Sequence, residues 1–207
     1  MKYYALVPVK SLSLAKSRLA PYLSLEQREV LVLDMLEHVL HVLHSCSTIE
    51  QVAVVSADPQ VLQRAREWEA RPMREERAGH NPALTAAAQR LRAEGASALL
   101  TISADLPLLT TYDVESMIAL SRRFEVTLAP SREGTGTSAM LMRPPLAVPY
   151  RFGPNSRERH LRAAAQRRLS ATLYESYDMA FDIDTIEDVR ELEGAYYEWR
   201  DVPTYAI

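Results

Sequence analysis

Three aspartates of this sequence are placed to do chemistry. Asp182 and Asp184 flank Ile183 after the apolar run Met179-Ala180-Phe181, and Asp105 sits in Ser103-Ala104-Asp105-Leu106-Pro107 after Leu99-Leu100-Thr101-Ile102. Both runs read as buried strands, and in an open α/β sheet ligands bind in the crevice past the strand ends. Residues i and i+2 of a strand share a face, so Asp182 and Asp184 are expected to point the same way. Three converging carboxylates repel one another unless a cation joins them. Hard oxygen ligands suit Mg²⁺ or Mn²⁺, which usually share their shell with substrate phosphates. The pattern therefore predicts metal-dependent chemistry on a phosphorylated substrate. The plainer alternative is that each aspartate only closes a turn or caps a helix.

Other segments have anion-binding composition. The loop from Lys10 to Leu19 holds Lys10, Lys16 and Arg18 with three serines. Lysine as a point charge, arginine as a fork and hydroxyls as neutral donors suit a triphosphate. It is not a P-loop, because the glycines and the Gly-Lys-Ser/Thr ending are absent. A solvated surface turn would have a similar composition. Gly134-Thr135-Gly136-Thr137-Ser138 offers unusual torsions and hydroxyl donors. Phe152-Gly153-Pro154-Asn155-Ser156 precedes a helical pattern, whose first N–H groups could receive an anion. Either could equally be an ordinary turn.

These residues are carried by alternating strand and helix patterns. Tyr3 to Val9, Val52 to Val55, Ser97 to Ser103 and Val126 to Ala129 are apolar without helical period, as buried strands are. Ser138 to Met142 and Ala171 to Glu175 complete the strands, and Pro144-Pro145 stops the former. Ser24 with Gln27 forms a capping-box pattern ahead of an apolar face at Val32, Leu36, Val39 and Leu43. Asp58-Pro59 and Asn81-Pro82 mark further helix starts, and Gly95 ends the second of these helices. Further helices are expected over Thr111 to Ser121, from Ser156, and from Thr185 with Asp188 at its third position. The alternation predicts a mostly parallel sheet with helices on both faces.

Composition narrows the class. The chain has 207 residues, 47% hydrophobic and 25% charged, so one domain over 1–207 with a full core is expected. A net charge of -3 gives no basic excess for nucleic acid. The one cysteine, Cys46, fits a reducing compartment and reads as a core filler. No apolar run approaches the ~18 residues of a membrane span, and the N-terminus reads as a strand and not a signal peptide. A cytoplasmic protein is expected. His38, His41 and His44 recur every three residues, but no carboxylate or cysteine stands in register with them, which argues for a partly exposed helix face over a metal stripe. Tyr196, Tyr197, Trp199 and Tyr205 suggest packing of the last helix, or a homodimer contact.

Six segments occur in order: Val7-Pro8-Val9-Lys10, Ala15-Lys16-Ser17-Arg18-Leu19, Ser103-Ala104-Asp105-Leu106-Pro107-Leu108, Gly134-Thr135-Gly136-Thr137, Phe152-Gly153-Pro154 with His160, and Asp182-Ile183-Asp184-Thr185. Together they resemble the 2-phospho-L-lactate guanylyltransferase family, which includes phosphoenolpyruvate guanylyltransferases and serves coenzyme F-420 biosynthesis. The resemblance implies a three-layer α/β/α Rossmann-like nucleotidyltransferase fold with a mixed, mostly parallel sheet. It implies Asp105, Asp182 and Asp184 as metal ligands and Thr137, Gly153 and Ser156 as contacts to the phospho-acid. Lys10, Lys16 and Arg18 would face the phosphates of GTP, and Gly79 and Asn81 would lie near the guanine. His80, Ser138, Asn155 and Arg157 depart from the family pattern, and several flank the acid pocket.

The expected reaction is attack by a phosphate oxygen of the acid on the α-phosphorus of GTP, with loss of pyrophosphate. A phosphate monoester has a second pKa near 6, so no general base is required. Phosphoenolpyruvate is the expected acceptor, with 2-phospho-L-lactate and 3-phosphoglycerate as alternatives. Two other classes share parts of the pattern. A glycosyltransferase also uses an Asp-x-Asp motif, and a regulatory nucleotide-binding domain would keep the fold but lose a metal carboxylate.

Overall fold

The structure is a computed structural model and describes residues 1–195. The aromatic residues Tyr196, Tyr197, Trp199 and Tyr205 lie outside the described residues.

Seven strands form one sheet: β1 (Tyr3–Pro8), β2 (Ile49–Ser56), β3 (Arg71–Arg74), β4 (Ala98–Ile102), β5 (Val126–Pro130), β6 (Thr137–Met142) and β7 (Ala171–Leu173). Their order is β3-β2-β1-β4-β6-β5-β7. β3, β2, β1 and β4 run parallel, and β5 is parallel to β7. β6 is antiparallel to both β4 and β5. The chain moves outward from β1 to β2 and β3, then returns to place β4 on the other side of β1. That reversal opens a crevice beyond the ends of β1 and β4, where α/β sheets bind ligands.

The helices are α1 (Leu25–Ser45), α2 (Pro59–Glu67), α3 (His80–Ala93), α4 (Thr111–Ser121), α5 (Ser156–Gln166), the short α6 (Tyr177–Ala180) and α7 (Ile186–Ala195). The period-2 alternation of β1 divides the core in two. Tyr3, Ala5 and Val7 pack with Leu36 and Leu40 of α1 and Val114 and Met117 of α4. Tyr4 and Leu6 face the opposite side, against Leu84 and Leu91 of α3 and Ala163 and Ala164 of α5. Three layers result, because the central strands β1, β4, β6 and β5 bury both faces. Cys46 is buried in the first core, as a filler would be.

Several starts follow the sequence signals. Ser24 and Gln27 form a reciprocal capping box at α1, and Asp58 caps α2 with Pro59 in its first turn. Asp188 accepts from Thr185 N at 2.7 Å at the start of α7.

Others correct them. Met179-Ala180-Phe181 is not a strand: Ser176 caps the single turn of α6 by accepting from Met179 N at 3.2 Å. A run of only three apolar residues is too short to override a serine cap followed by Asp178. Asp182 and Asp184 consequently lie in irregular chain between α6 and α7. Asn81 is not a helix cap; Gly79, at φ 98°, holds that position for α3. The edge strand β3 was not expected, because Pro72 and two arginines hide the one buried residue, Met73. An edge strand needs only one paired side and tolerates proline. Among the described residues, no helix is long and apolar enough to cross a membrane.

Candidate active site

The carboxylates meet although their elements are far apart in sequence. Asp105 follows β4, and its carbonyl accepts from Ile183 N at 3.4 Å. That contact draws the 182–184 segment onto the end of β4. Phe181 and Ile183 anchor the segment from either side of Asp182, since both are buried in the first core. Asp105, Asp182 and Asp184 each offer an oxygen, and these atoms all lie within 4.8 Å of one another. Among the described residues, no other group of three potential ligands forms such a cluster, the spaced histidines of α1 included. His38 Nε2 instead lies 2.9 Å from Leu109 O.

The electrostatics of the cluster bear the mark of crowded anions. Burial, then the charges of Asp105 and Asp184, push the Asp182 carboxyl up to about 6. Lys16 supplies the compensating charge. Its ammonium bonds Asp105 and reaches Asp184 at 3.2 Å, with the side chain only 8% exposed. Burial opposes that charge, but the two carboxylates prevail and hold the ammonium above its ordinary value. Arg18 reaches Asp184 at 3.4 Å from the exposed rim. Lys16 has left-handed backbone, φ 49° and ψ 42°. This conformation costs a non-glycine residue of order 1–2 kcal/mol, and such strain concentrates at functional sites.

The loop that bears these cations is held from two sides. Asp58 accepts from Leu12 N at 2.9 Å and from Ser11 Oγ at 3.1 Å, while its other oxygen caps α2. Arg28 Nη1 donates to Ala15 O at 2.9 Å. The sequence marks Asp58 as a cap but does not show that it also grips the loop, a contact 46 residues distant. A cavity of about 440 Å³ lies between the loop and the ends of β1 and β4. Lys10, Lys16, Arg18, His80, Asp105 and Asp184 are among its walls. Its size suits a small-molecule ligand.

Thr137, Gly153 and Ser156 are not in that wall and form a second cluster. β6 runs antiparallel to β4 with Ala139 opposite Ile102, so its start lies beside the end of β4. Ser103 N donates to Ser138 O at 2.9 Å and extends the pairing toward Asp105. The turn before Thr137 is tight. A Cβ on Gly136 would stand 2.5 Å from Ser131 Oγ, which accepts from Gly136 N. Gly153, at φ 114°, turns the chain into α5. Ser156 Oγ donates to Thr137 Oγ1 at 3.0 Å, and His160 Nδ1 lies 3.4 Å from the same oxygen. All three side chains are buried.

Asn81 joins the two clusters. Its Oδ1 accepts from Phe152 N at 2.8 Å, and its Nδ2 donates to Phe152 O at 3.1 Å. The amide is thus engaged by backbone, and the start of α3 is fastened to the Gly153 turn. His80 packs edge-on against Phe152 at 5.3 Å and, at the same time, borders the cavity.

On this topology a switch-point crevice, an aspartate cluster and a cationic loop lie together. Solved structures agree on the fold. A nucleotidyl transferase from Methanothermobacter thermautotrophicus superposes with a TM-score of 0.67 at 15% identity, covering 94% of this chain and 97% of the other. A 4-diphosphocytidyl-2C-methyl-D-erythritol synthase from Anaerococcus prevotii gives 0.66 at 10% identity, with 94% and 97% covered. The sequence is more specific. Residues 3–194 match the family described as "Guanylyl transferase CofC like", and the chain belongs to that family. It is 40% identical to the phosphoenolpyruvate guanylyltransferase of Rubrobacter xylanophilus, over 94% of this chain and 95% of the relative. It is 35% identical to the 2-phospho-L-lactate guanylyltransferase of Methanothermobacter thermautotrophicus, over 93% and 84%.

Proposed function

We propose that this protein transfers GMP from GTP to the phosphate of phosphoenolpyruvate, with 2-phospho-L-lactate the second choice, and releases pyrophosphate in coenzyme F-420 biosynthesis. Two relatives named for phosphoenolpyruvate stand at 40% and 38% identity, above the 35%, 31% and 30% of three named for 2-phospho-L-lactate. The observation that carries the reading is the Asp105–Asp182–Asp184 cluster facing the cations of the 10–18 loop. The single domain would perform the whole reaction.

An all-oxygen donor set with an elevated carboxyl fits a hard divalent cation, Mg²⁺ or Mn²⁺. Asp105, Asp182 and Asp184 would hold it, and when bound it supplies charge neutralisation at the transferring phosphorus. The protein's own groups do the remainder. Lys10, Lys16 and Arg18 hold the triphosphate and balance charge on the departing pyrophosphate. Thr137, Gly153 and Ser156 hold the acid so that its phosphate oxygen, dianionic near neutral pH, faces the α-phosphorus. That oxygen bonds to phosphorus as the bond to the β-phosphate bridge breaks. Rate enhancement comes from positioning and charge. The guanine lies near Gly79 and Asn81. Because the Asn81 amide serves Phe152, backbone groups there read the base.

Pyrophosphate release from GTP, measured with phosphoenolpyruvate, 2-phospho-L-lactate and 3-phosphoglycerate, tests the reading. The expected order of kcat/KM is the order given, with loss of activity in excess chelator and recovery on adding Mg²⁺. Release with none of the acids would overturn the reaction, and undiminished release in chelator would overturn the metal assignment.

A further inference from the structure

His160 is the buried titratable group that this chemistry leaves unused. It is 0% exposed and cannot touch a substrate. Its hydrogen bonds nevertheless fix where two protons lie. Arg151 N donates to His160 Nε2 at 2.9 Å. A backbone N–H can only donate, so Nε2 carries no hydrogen, and the neutral ring keeps its proton on Nδ1. That Nδ1–H points at Thr137 Oγ1, 3.4 Å away. Ser156 Oγ donates to the same oxygen at 3.0 Å. Thr137 Oγ1 therefore receives two hydrogen bonds, and both its lone pairs are occupied. Its own hydroxyl hydrogen belongs to neither contact and must turn away from both.

We propose that His160 is a positioning residue for acceptor binding: by filling the Thr137 oxygen from behind, it commits the Thr137 hydroxyl to donate to an anionic oxygen of the phospho-acid. The inference rests on the reading that Thr137 faces the acid. A free threonine hydroxyl can turn either way and would lose rotational freedom on binding an anion. Here the orientation is set in advance, starting from a backbone amide. The ring has little freedom to swing, because it packs edge-on against Phe152 at 5.2 Å. Phe152 is itself held at both backbone polar atoms by Asn81. The pocket thus rejects a ligand group that can only donate at this point and accepts one that carries negative oxygen.

The test is a double-mutant cycle read as KM for phosphoenolpyruvate and, separately, KM for GTP. T137V removes the hydroxyl and H160F removes both ring nitrogens while keeping an aromatic ring. Each single change is expected to raise the KM for the acid about tenfold and leave that for GTP within about twofold. The double variant should match T137V, because His160 acts only through Thr137. An H160F effect of equal size in the T137V background would overturn the proposal, as would an unchanged acid KM in H160F alone. An unchanged acid KM in T137V would instead overturn the acid-pocket reading itself. If H160F does not fold, H160N and H160Q decide. The asparagine amide nitrogen falls near Nδ1 and the glutamine one near Nε2, so H160N should hold the lower acid KM; equal or reversed values would overturn the proposal.

Discussion

Burial, then the nearby Arg159 and Arg151, lower the His160 imidazole from its ordinary 6.5 to about 4. The sign of the consequence follows from proton counting. Between those values the unfolded chain binds a proton that the folded chain refuses, so stability is fully present above about pH 6.5 and is lost as pH falls toward 4. A displacement of that size corresponds to about 3 kcal/mol. Replacing His160 by phenylalanine should flatten the stability profile between pH 6.5 and 4 by about that amount, measured by urea titration at fixed pH. An unchanged slope would show that the imidazole titrates normally in the folded protein. Asp182 shows the opposite response to crowding, holding its proton up to about pH 6 among its carboxylate neighbours. The two residues belong to the two clusters, one crowded with carboxylates and one holding a neutral imidazole.

At the scale of elements, the Lys10–Leu19 loop is fastened to the start of α2. Asp58 bonds Leu12 N and Ser11 Oγ with one oxygen and Gln60 N with the other. Burial works against its charge, but the Leu12 and Gln60 amides outweigh it and keep the carboxyl below its usual range. Asp58→Ala should cost about 1–2 kcal/mol as a lost helix cap. It should also raise the KM for GTP several-fold, as the Lys10–Arg18 segment loses its mooring, and leave that for the acid within about twofold. Steady-state kinetics with each substrate varied in turn checks this. A purely structural cap would lower the melting temperature without moving the GTP constant.

At the scale of the whole molecule, residues 10–18, Asp105 and the 182–184 segment come together although they are far apart in sequence, and under the proposed function the nucleotide binds between them. Ligand that joins them stabilises the native state as a unit. At 100 times its dissociation constant, GTP with Mg²⁺ should add about 2.7 kcal/mol, or roughly 5–10 °C in a chain of this size. Thermal denaturation monitored by circular dichroism checks the shift, which should shrink markedly with GTP in chelator. Equal shifts with and without Mg²⁺ would show that the loop cations bind nucleotide unaided.

The sequence by itself determined the elements whose signals are local. Ser24 and Gln27 mark the start of α1, Asp58-Pro59 that of α2, and the apolar runs of β1, β4 and β5 their strands, because caps and burial periodicity act over a few residues. Residue types also singled out the three aspartates and the cationic loop as candidates for chemistry, and the ordered motifs identified the family. Tertiary structure alone decided how those pieces meet. Nothing local in Thr137–Met142 says that β6 inserts antiparallel between β4 and β5, yet that insertion puts the start of β6 beside the end of β4, with Ser103 N bonded to Ser138 O. Nothing local in Asn81 says that its amide serves Phe152 and not its own helix. Asp182 and Asp184 were expected to converge as strand neighbours, but they converge from irregular chain anchored by Phe181 and Ile183 in the core. Contacts between residues about 20 to 80 positions apart depend on which faces pack together, and that is settled by burial of the entire core at once.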